Sequence, residues 1–406
     1  MRSRAPGSPT VPPSAITARP TVPASRRPPS PAAVRVRERT ARSLRYAAPA
    51  LVGYLTVRLF GLLVLARWAH LKGHGVWPTL ATSWDSNWYL GIADHGYQDS
   101  LGTTYNSNNL AFFPLYPVLI KAVAGVTPGS RASVGLVLAV GFSLVAAWGV
   151  FAVGAHLHGR RAGTALAVLW GAAPVAVVQW MGYTESLFTA LAAWALYAVL
   201  TGRWYAAGAL AVLAGLTRPT GIAVAAAVTV TGLLAAARTR RAAPLAAACA
   251  APLGWLGYVA WVGARIGRWD GYFAVQRLWR NAWDGGAGTL RELRHLLAYD
   301  RNPQLFLVAV SAVLVLSAAA YVLCLAERQP LALLVFSGVL LLVVLGSGGV
   351  YFPRARFLVP GFPLLLPLAL AVCRARRVVA GLVLGGAVLT SAWLGAYMLL
   401  VWPGPP

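Results

Sequence analysis

Runs of about 20 apolar residues recur along this chain from Tyr46 to Trp402, and they constrain the fold more than any other feature. A bilayer core of about 30 Å is crossed by roughly 20 helical residues, and hydrocarbon leaves no partner for backbone polar groups outside helices and closed barrels. Composition enters at one point. Only 11% of residues are charged, against about 25% in soluble globular proteins, which leaves too little polar surface to cover a water-soluble body. The expected fold is therefore all-α: a polytopic bundle of about eleven spans, near 46–66, 132–155, 162–181, 184–200, 204–217, 219–237, 243–264, 304–325, 331–348, 356–373 and 378–402. Residues 46–402 form the membrane domain in this reading.

The net charge of +25 resembles a nucleic-acid signature, but its distribution does not. Ten arginines lie within the first 45 residues and most others sit in short turns between apolar runs. That is topology-setting charge, and no nucleic-acid partner is expected. Residues 1–45, rich in Pro, Ser, Ala and Arg, bury too little surface to fold and read as a disordered basic cytoplasmic tail beside membrane lipids. No signal peptide is expected before the first apolar run, which is too long and too internal for one. Cys249, Cys324 and Cys373 fall in or at the ends of apolar runs, with neither disulfide nor metal spacing.

One segment, 110–127 (AFFPLYPVLIKAVAGVTP), is apolar enough to span but carries Pro114, Pro117 and Lys121. If it does not cross, the basic turns HLHGRRAG (156–163), TGR (201–203), ARTRR (237–241), AERQ (326–329) and CRARR (373–377) all face the cytoplasm. The outer loops then hold nearly all the acids. If it crosses, those basic turns move outside. The first arrangement satisfies the positive-inside rule, so 110–127 is expected to be interfacial or re-entrant against the outer half of the bundle. The N-terminus is then cytoplasmic.

The first outer segment, 67–131, is too long for a turn, and loops of that size usually carry function. Its centre, SWDSNWYLGIADHGY (83–97), reads as a short amphipathic helix in the membrane plane. Trp84, Trp88 and Ile92 share one face, and Asp85 and Tyr89 another. Asp85 would sit among aromatic rings at the water–lipid boundary, placed for base chemistry; the plainer alternative is a solvated helix residue. Glu185 opens a span within QWMGYTESLFTALAAWALYA (179–198). Acids at a membrane boundary are costly and by default functional, although Thr184 capping a helix that Glu185 favours electrostatically also explains the pattern. Arg218, Arg354 and Arg356 reach the same outer level, where a guanidinium can fork onto phosphate or snorkel. A second outer loop spans 265–303. Neither a Walker A sequence nor a Gly-rich phosphate loop occurs, so no nucleotide cofactor is expected. Together these residues suit a substrate with a lipid tail, a phosphate and a polar head.

The ordered set WDSNWYLGIADHGY, AFFPLYPVL, GYTESLF, the 203–221 run ending GLTRPTG, and PRARFLVPGFPLLLP resembles the PIG-V-type, GPI mannosyltransferase II-like family over about residues 50–370. No single motif is decisive; the order is the specific part. The resemblance implies a GT-C glycosyltransferase fold and a polyprenyl-phosphate-linked sugar donor, mannose in that family's terms, with a lipid, glycolipid or glycan acceptor. It implies that Asp85 is the catalytic carboxylate and that transfer inverts the anomeric centre. Glu185 and Asp94 would position hydroxyls, and Arg218, Arg354 or Arg356 would stabilise the leaving phosphate. Trp84 and Tyr183, within the matching motifs, join the substrate-binding set. It also implies no metal requirement, and no clustered D-x-D argues for one. A secondary transporter would instead show midplane polar sites and internal repeats, and neither is visible. A lipid-linked polymer flippase or ligase could use the arginines but leaves the Trp-Asp helix unexplained.

Overall fold

The structure, a computed structural model, describes residues 31–406, with side chains described for Glu38 and from Thr40 onward. Its helices run in chain order α1 (Pro31–Leu71), α2 (Val76–Ala81), α3 (Asp85–His95), α4 (Leu115–Ala124), α5 (Arg131–Gly171), α6 (Glu185–Leu200), α7 (Trp204–Gly215), α8 (Gly221–Thr239) and α9 (Ala242–Ala250). They continue with α10 (Leu253–Arg265), α11 (Gly271–Leu278), α12 (Ala287–Arg294), α13 (Leu305–Ala326), α14 (Leu331–Gly346), α15 (Arg354–Phe357), α16 (Leu366–Arg374) and α17 (Arg377–Leu400). Among the described residues there is no strand, only an isolated bridge between Trp283 and Ser347. The protein is all-α. Among the described residues six helical stretches are long and apolar enough to cross a membrane, and shorter apolar helices include Glu185–Leu200, Trp204–Gly215 and Leu331–Gly346.

Two expectations change. The segment 1–45 is not irregular to its end: α1 begins at Pro31. Proline suits the first helical position, and the following RVRERTARSL is rich in strong helix formers. Residues 1–30 of the expected tail lie outside the described residues. The expected spans 162–181 and 356–373 are also not single helices; the second divides into α15 (Arg354–Phe357), a 3-10 turn at Phe362–Leu365 and α16 (Leu366–Arg374). α5 stops at Gly171, and 172–184 continues as buried irregular chain with a 3-10 turn at Ala176–Trp180.

Small residues allow the bundle to close tightly, as in membrane helix pairs generally. A Cβ on Gly149 would lie 2.9 Å from that of Ala193, and one on Gly254 would run into the Val212 carbonyl. The basic turn at 156–163 breaks α5 at Gly159, whose φ of 84° suits glycine. Arg160 at that break donates to the Tyr46 carbonyl at 3.0 Å, tying the turn to α1.

The other end of the bundle is irregular. The stretches 172–184 and 347–365 both run without long helix, and proline at 174, 353, 360 and 363 explains part of this. Such backbone survives inside a bundle when protein groups satisfy it. Trp170 Nε1 donates to the Val359 carbonyl at 2.9 Å, and Gln179 Nε2 to the Trp170 carbonyl at 2.9 Å. Tyr54 of α1 donates to Gln179 Oε1 at 3.0 Å, and Ser391 of α17 to the Ala173 carbonyl at 2.7 Å. α4, with 10 residues, is about 15 Å long, half of what a crossing needs. It packs against α3 and α5. Its Tyr116 hydroxyl donates to the Gly135 carbonyl at 2.7 Å.

Candidate functional site

The irregular end of the bundle holds a cavity of about 430 Å³, lined by Trp84, Asp85, Arg218 and Arg356 among others. Its volume falls in the roughly 300–1,000 Å³ range of small-molecule sites. Four segments far apart in sequence supply those residues and their supports.

Asp85 opens α3, where a carboxylate is favoured by the positive helix end. The residue before it, Trp84, has φ 48° and ψ −113°. A bulky residue at positive φ is strained, by about 1–3 kcal/mol, and such strain concentrates at functional sites. The kink turns the Trp84 and Asp85 side chains to the cavity at the same point. Gly182 N donates to the Leu80 carbonyl at 2.8 Å, holding 182–185 beside the start of α3. Glu185 opens α6 and is 2% exposed. Thr184 makes no side-chain cap; its hydroxyl pairs with Tyr89 of α3 at 3.2 Å. Two helix N-termini, each carrying an acid, are thus laced together.

Two buried arginines meet these acids. Arg356 Nη2 pairs with Asp85 Oδ2, and Arg356 Nε lies 3.9 Å from Glu185 Oε1. Arg218, in the turn between α7 and α8, brings Nη1 within 2.7 Å of the same Glu185 oxygen. That approach lies off the hydrogen-bond direction, so Arg218 Nη1, like Arg356 Nε and Nη1, lacks a hydrogen-bond partner. The Arg356 guanidinium is bracketed by the rings of Tyr183 at 5.0 Å and Phe357 at 5.3 Å. Arg218 lies 5.4 Å from Phe357. Such cation–π contacts hold a guanidinium plane while leaving its edge donors available. Two acids and two arginines balance formally, yet buried N–H groups remain unspent.

Not every expected site residue reaches the cavity. Asp94 pairs with Arg131 at the start of α5 and is 37% exposed; it ties α3 to α5. Its separation from Asp85 is nine residues, which at about 100° per residue puts it on the opposite helix face. Arg354 points away from the acids. It donates to Thr289 Oγ1 and to the Val350 carbonyl at 3.3 Å, so it fastens α12 to the 347–354 segment. Its neighbour Asp284 accepts from Gly288 N at 2.7 Å and Gly286 N at 2.9 Å. Those amide donors, Gly288 first, hold its carboxyl below the usual carboxylate range. Glu185 and Tyr183 stand behind the cavity wall, contacting the arginines, and do not line it. Sequence reasoning missed Phe112, Gln276, Trp279 and Asn281, which do line it. Aromatic and amide residues clustered at 276–281 in the second outer loop were the available signal. Among the described residues no three His, Cys, Asp or Glu side chains are grouped to hold a metal ion.

Archaeal oligosaccharyltransferase AglB from Archaeoglobus fulgidus, solved with an inhibitory peptide and a dolichol-phosphate, matches with a TM-score of 0.50 over 87% of this chain and 56% of its own, at 16% identity. This is the GT-C fold. In sequence, the chain is 32% identical over 151 residues to GPI alpha-1,6-mannosyltransferase 2 of Mus musculus, covering 34% of this chain and 29% of the relative. The structural match is one of fold, and the sequence match is confined to one stretch of both chains. No family model matches. The chain spans about half the length of the archaeal structure and under a third of the mouse relative.

Proposed function

We propose that this protein is a membrane glycosyltransferase that moves mannose from a polyprenyl-phosphate donor to a lipid or glycolipid acceptor at the extracytoplasmic face. The observation that carries the reading is one cavity wall bearing a carboxylate, Asp85, beside two buried arginines with unspent N–H groups. Buried unsatisfied donors cost free energy unless a ligand uses them, and a planar guanidinium matches phosphate oxygens.

In this mechanism the acceptor hydroxyl attacks the anomeric carbon. The new carbon–oxygen bond forms as the bond from that carbon to the phosphate oxygen breaks, and the electron pair leaves with the polyprenyl phosphate. Asp85 Oδ1, which has no protein partner among the described residues, receives the acceptor proton. Arg356 and Arg218 take up the developing phosphate charge, an electrostatic role of the oxyanion-hole kind. Glu185 restrains both guanidiniums, and Tyr183 backs the plane of Arg356.

The test is transfer of radiolabelled mannose from polyprenyl-phosphate mannose into membrane lipid, in vesicles with and without the protein. Label incorporation that needs the protein and is lost in Asp85→Asn is the expected result. Equal incorporation without the protein would remove the proposal.

A further inference from the structure

The cavity continues past Asp85 to residues that the transfer step does not use. One turn along α3, Trp88 stacks on Phe112 with ring centroids 5.5 Å apart and planes 16° apart. Trp279 meets Trp88 edge-on at 5.4 Å and Phe112 edge-on at 5.4 Å. The Trp279 indole N–H donates to the Asn108 carbonyl at 2.8 Å, which fixes the ring plane. All three rings line the cavity.

Beside them runs a short chain of amides. Asn281 Nδ2 donates to Gln276 Oε1 at 3.2 Å, and Gln276 Nε2 donates to the Tyr272 hydroxyl at 2.8 Å. Each amide nitrogen keeps a second hydrogen, and Asn281 Oδ1 has no protein partner among the described residues. Gln276 and Asn281 line the cavity too. Tryptophan is also common at the membrane interface as a lipid-facing belt, and aromatic clusters often serve only as core. Belt rings face headgroups, whereas these face one another and a cavity. Core packing would leave neither an open volume nor oriented amides with spare donors and acceptors.

A pyranose ring fits both halves of this wall. It offers an apolar C–H face to an aromatic plane and hydroxyls that donate and accept at once, as carboxamides do. We propose that Trp88, Phe112 and Trp279 with Gln276 and Asn281 form a saccharide subsite, so that the acceptor presents a sugar ring and these residues set acceptor specificity. This rests on the transferase reading for the word acceptor. In a displacement the attacking hydroxyl enters opposite the leaving phosphate. The arginines are paired with the acids, Arg356 with Asp85 and Arg218 with Glu185, whereas Trp88 follows Asp85 by one turn of α3. A serine hydroxyl or a bare lipid alcohol would leave the aromatic wall and the amides unused.

Two measurements on the full chain in nanodiscs made without sugar-based detergent test this. Saturation-transfer NMR with the methyl α-glycosides of mannose, glucose and galactose needs no donor. At least one should bind the wild type and lose its signal in Trp279→Ala and in Asn281→Ala; the second variant removes only a loop amide and guards against misfolding of the first. Transfer from polyprenyl-phosphate mannose should saturate with octyl α-mannoside and not with octanol. Trp279→Ala should raise the acceptor KM about tenfold with the donor KM unchanged, and Trp279→Phe should recover most of the loss. Binding of the glycoside without any mannose transfer would sink the transferase reading and leave the saccharide subsite standing. Failure of all three glycosides to bind, equal binding in both variants, or equal use of octanol would overturn the subsite.

Discussion

Asp85 lines the cavity with Oδ2 held by Arg356 and Oδ1 without a protein partner among the described residues. In Asp85→Asn the size and much of the hydrogen bonding remain while the base is lost. General-base catalysis contributes about 10²–10⁴-fold, so transfer should fall by that much, roughly 3–5 kcal/mol of barrier. A folded variant that transfers at more than about half the wild-type rate would return Asp85 to the role of a solvated helix residue. Arg356→Lys and Arg218→Lys keep charge but lose the planar fork. Hydrogen bonds to charged groups contribute about 1.5–3 kcal/mol, so kcat/KM should drop about 10- to 100-fold in each. Arg354→Lys should not share that loss, since Arg354 bonds Thr289 and Val350 and does not line the cavity. Wild-type turnover in both the Arg218 and Arg356 variants would move the phosphate site elsewhere.

At the scale of elements, the cavity depends on loops being held against irregular chain. The 280–290 segment is fastened to 345–354 by backbone pairs: Asp284 N and Gly286 N each donate to the Gly346 carbonyl at 3.2 Å, and Gly348 N to the Ala282 carbonyl at 2.6 Å. Gly349, at φ 95°, passes so close to the Arg280 carbonyl that a side chain there would overlap it. Thr289 completes the clasp, accepting from Arg354 and donating to the Leu345 carbonyl at 2.5 Å. Thr289→Val keeps shape and removes both bonds, leaving a buried guanidinium short of an acceptor at a cost of about 1–3 kcal/mol. Thermal unfolding should begin at lower temperature, and limited proteolysis should cut 280–300 faster than in the wild type. An unchanged melting curve and cleavage pattern would show that the backbone pairs alone hold the clasp.

For the molecule as a whole, the gathering of Asp85, Glu185, Arg218 and Arg356 at one end of the bundle is a topological constraint. The basic turns at 201–203 and 237–241 lie at the far ends of α6, which begins at Glu185, and α8, which begins just after Arg218. An α4 of 10 residues fits an element that stays on the site's side. Cysteines placed at 99 and 284 should react with an impermeant thiol reagent added outside, and cysteines at 160 and 240 only after the membrane is opened. Outside reaction at 160 would reverse the bundle and put the site on the cytoplasmic face.

The sequence by itself determined the helices, because apolar run length, basic turns and a positive-φ glycine such as Gly159 act locally. It also marked the Trp-Asp helix and Glu185, since acids at a membrane boundary stand out against apolar chain. The nine-residue spacing of Asp85 and Asp94 held the signal that they face apart, but the family resemblance drew both into one site. Three things were not legible in the sequence. The end of α5 at Gly171 depends on Arg58 of α1 donating to the Gly171 carbonyl, Gln179 to the Trp170 carbonyl and Ser391 of α17 to the Ala173 carbonyl. The division of labour between Arg354 and Arg356 turns on which side of one short turn meets Asp85 and which meets Thr289. The ring cluster joins residues from 88, 112 and 279, and no local pattern links positions so far apart. Periodicity and composition are properties of neighbours in the chain; pairing and cavities are properties of neighbours in space, and only packing chooses those.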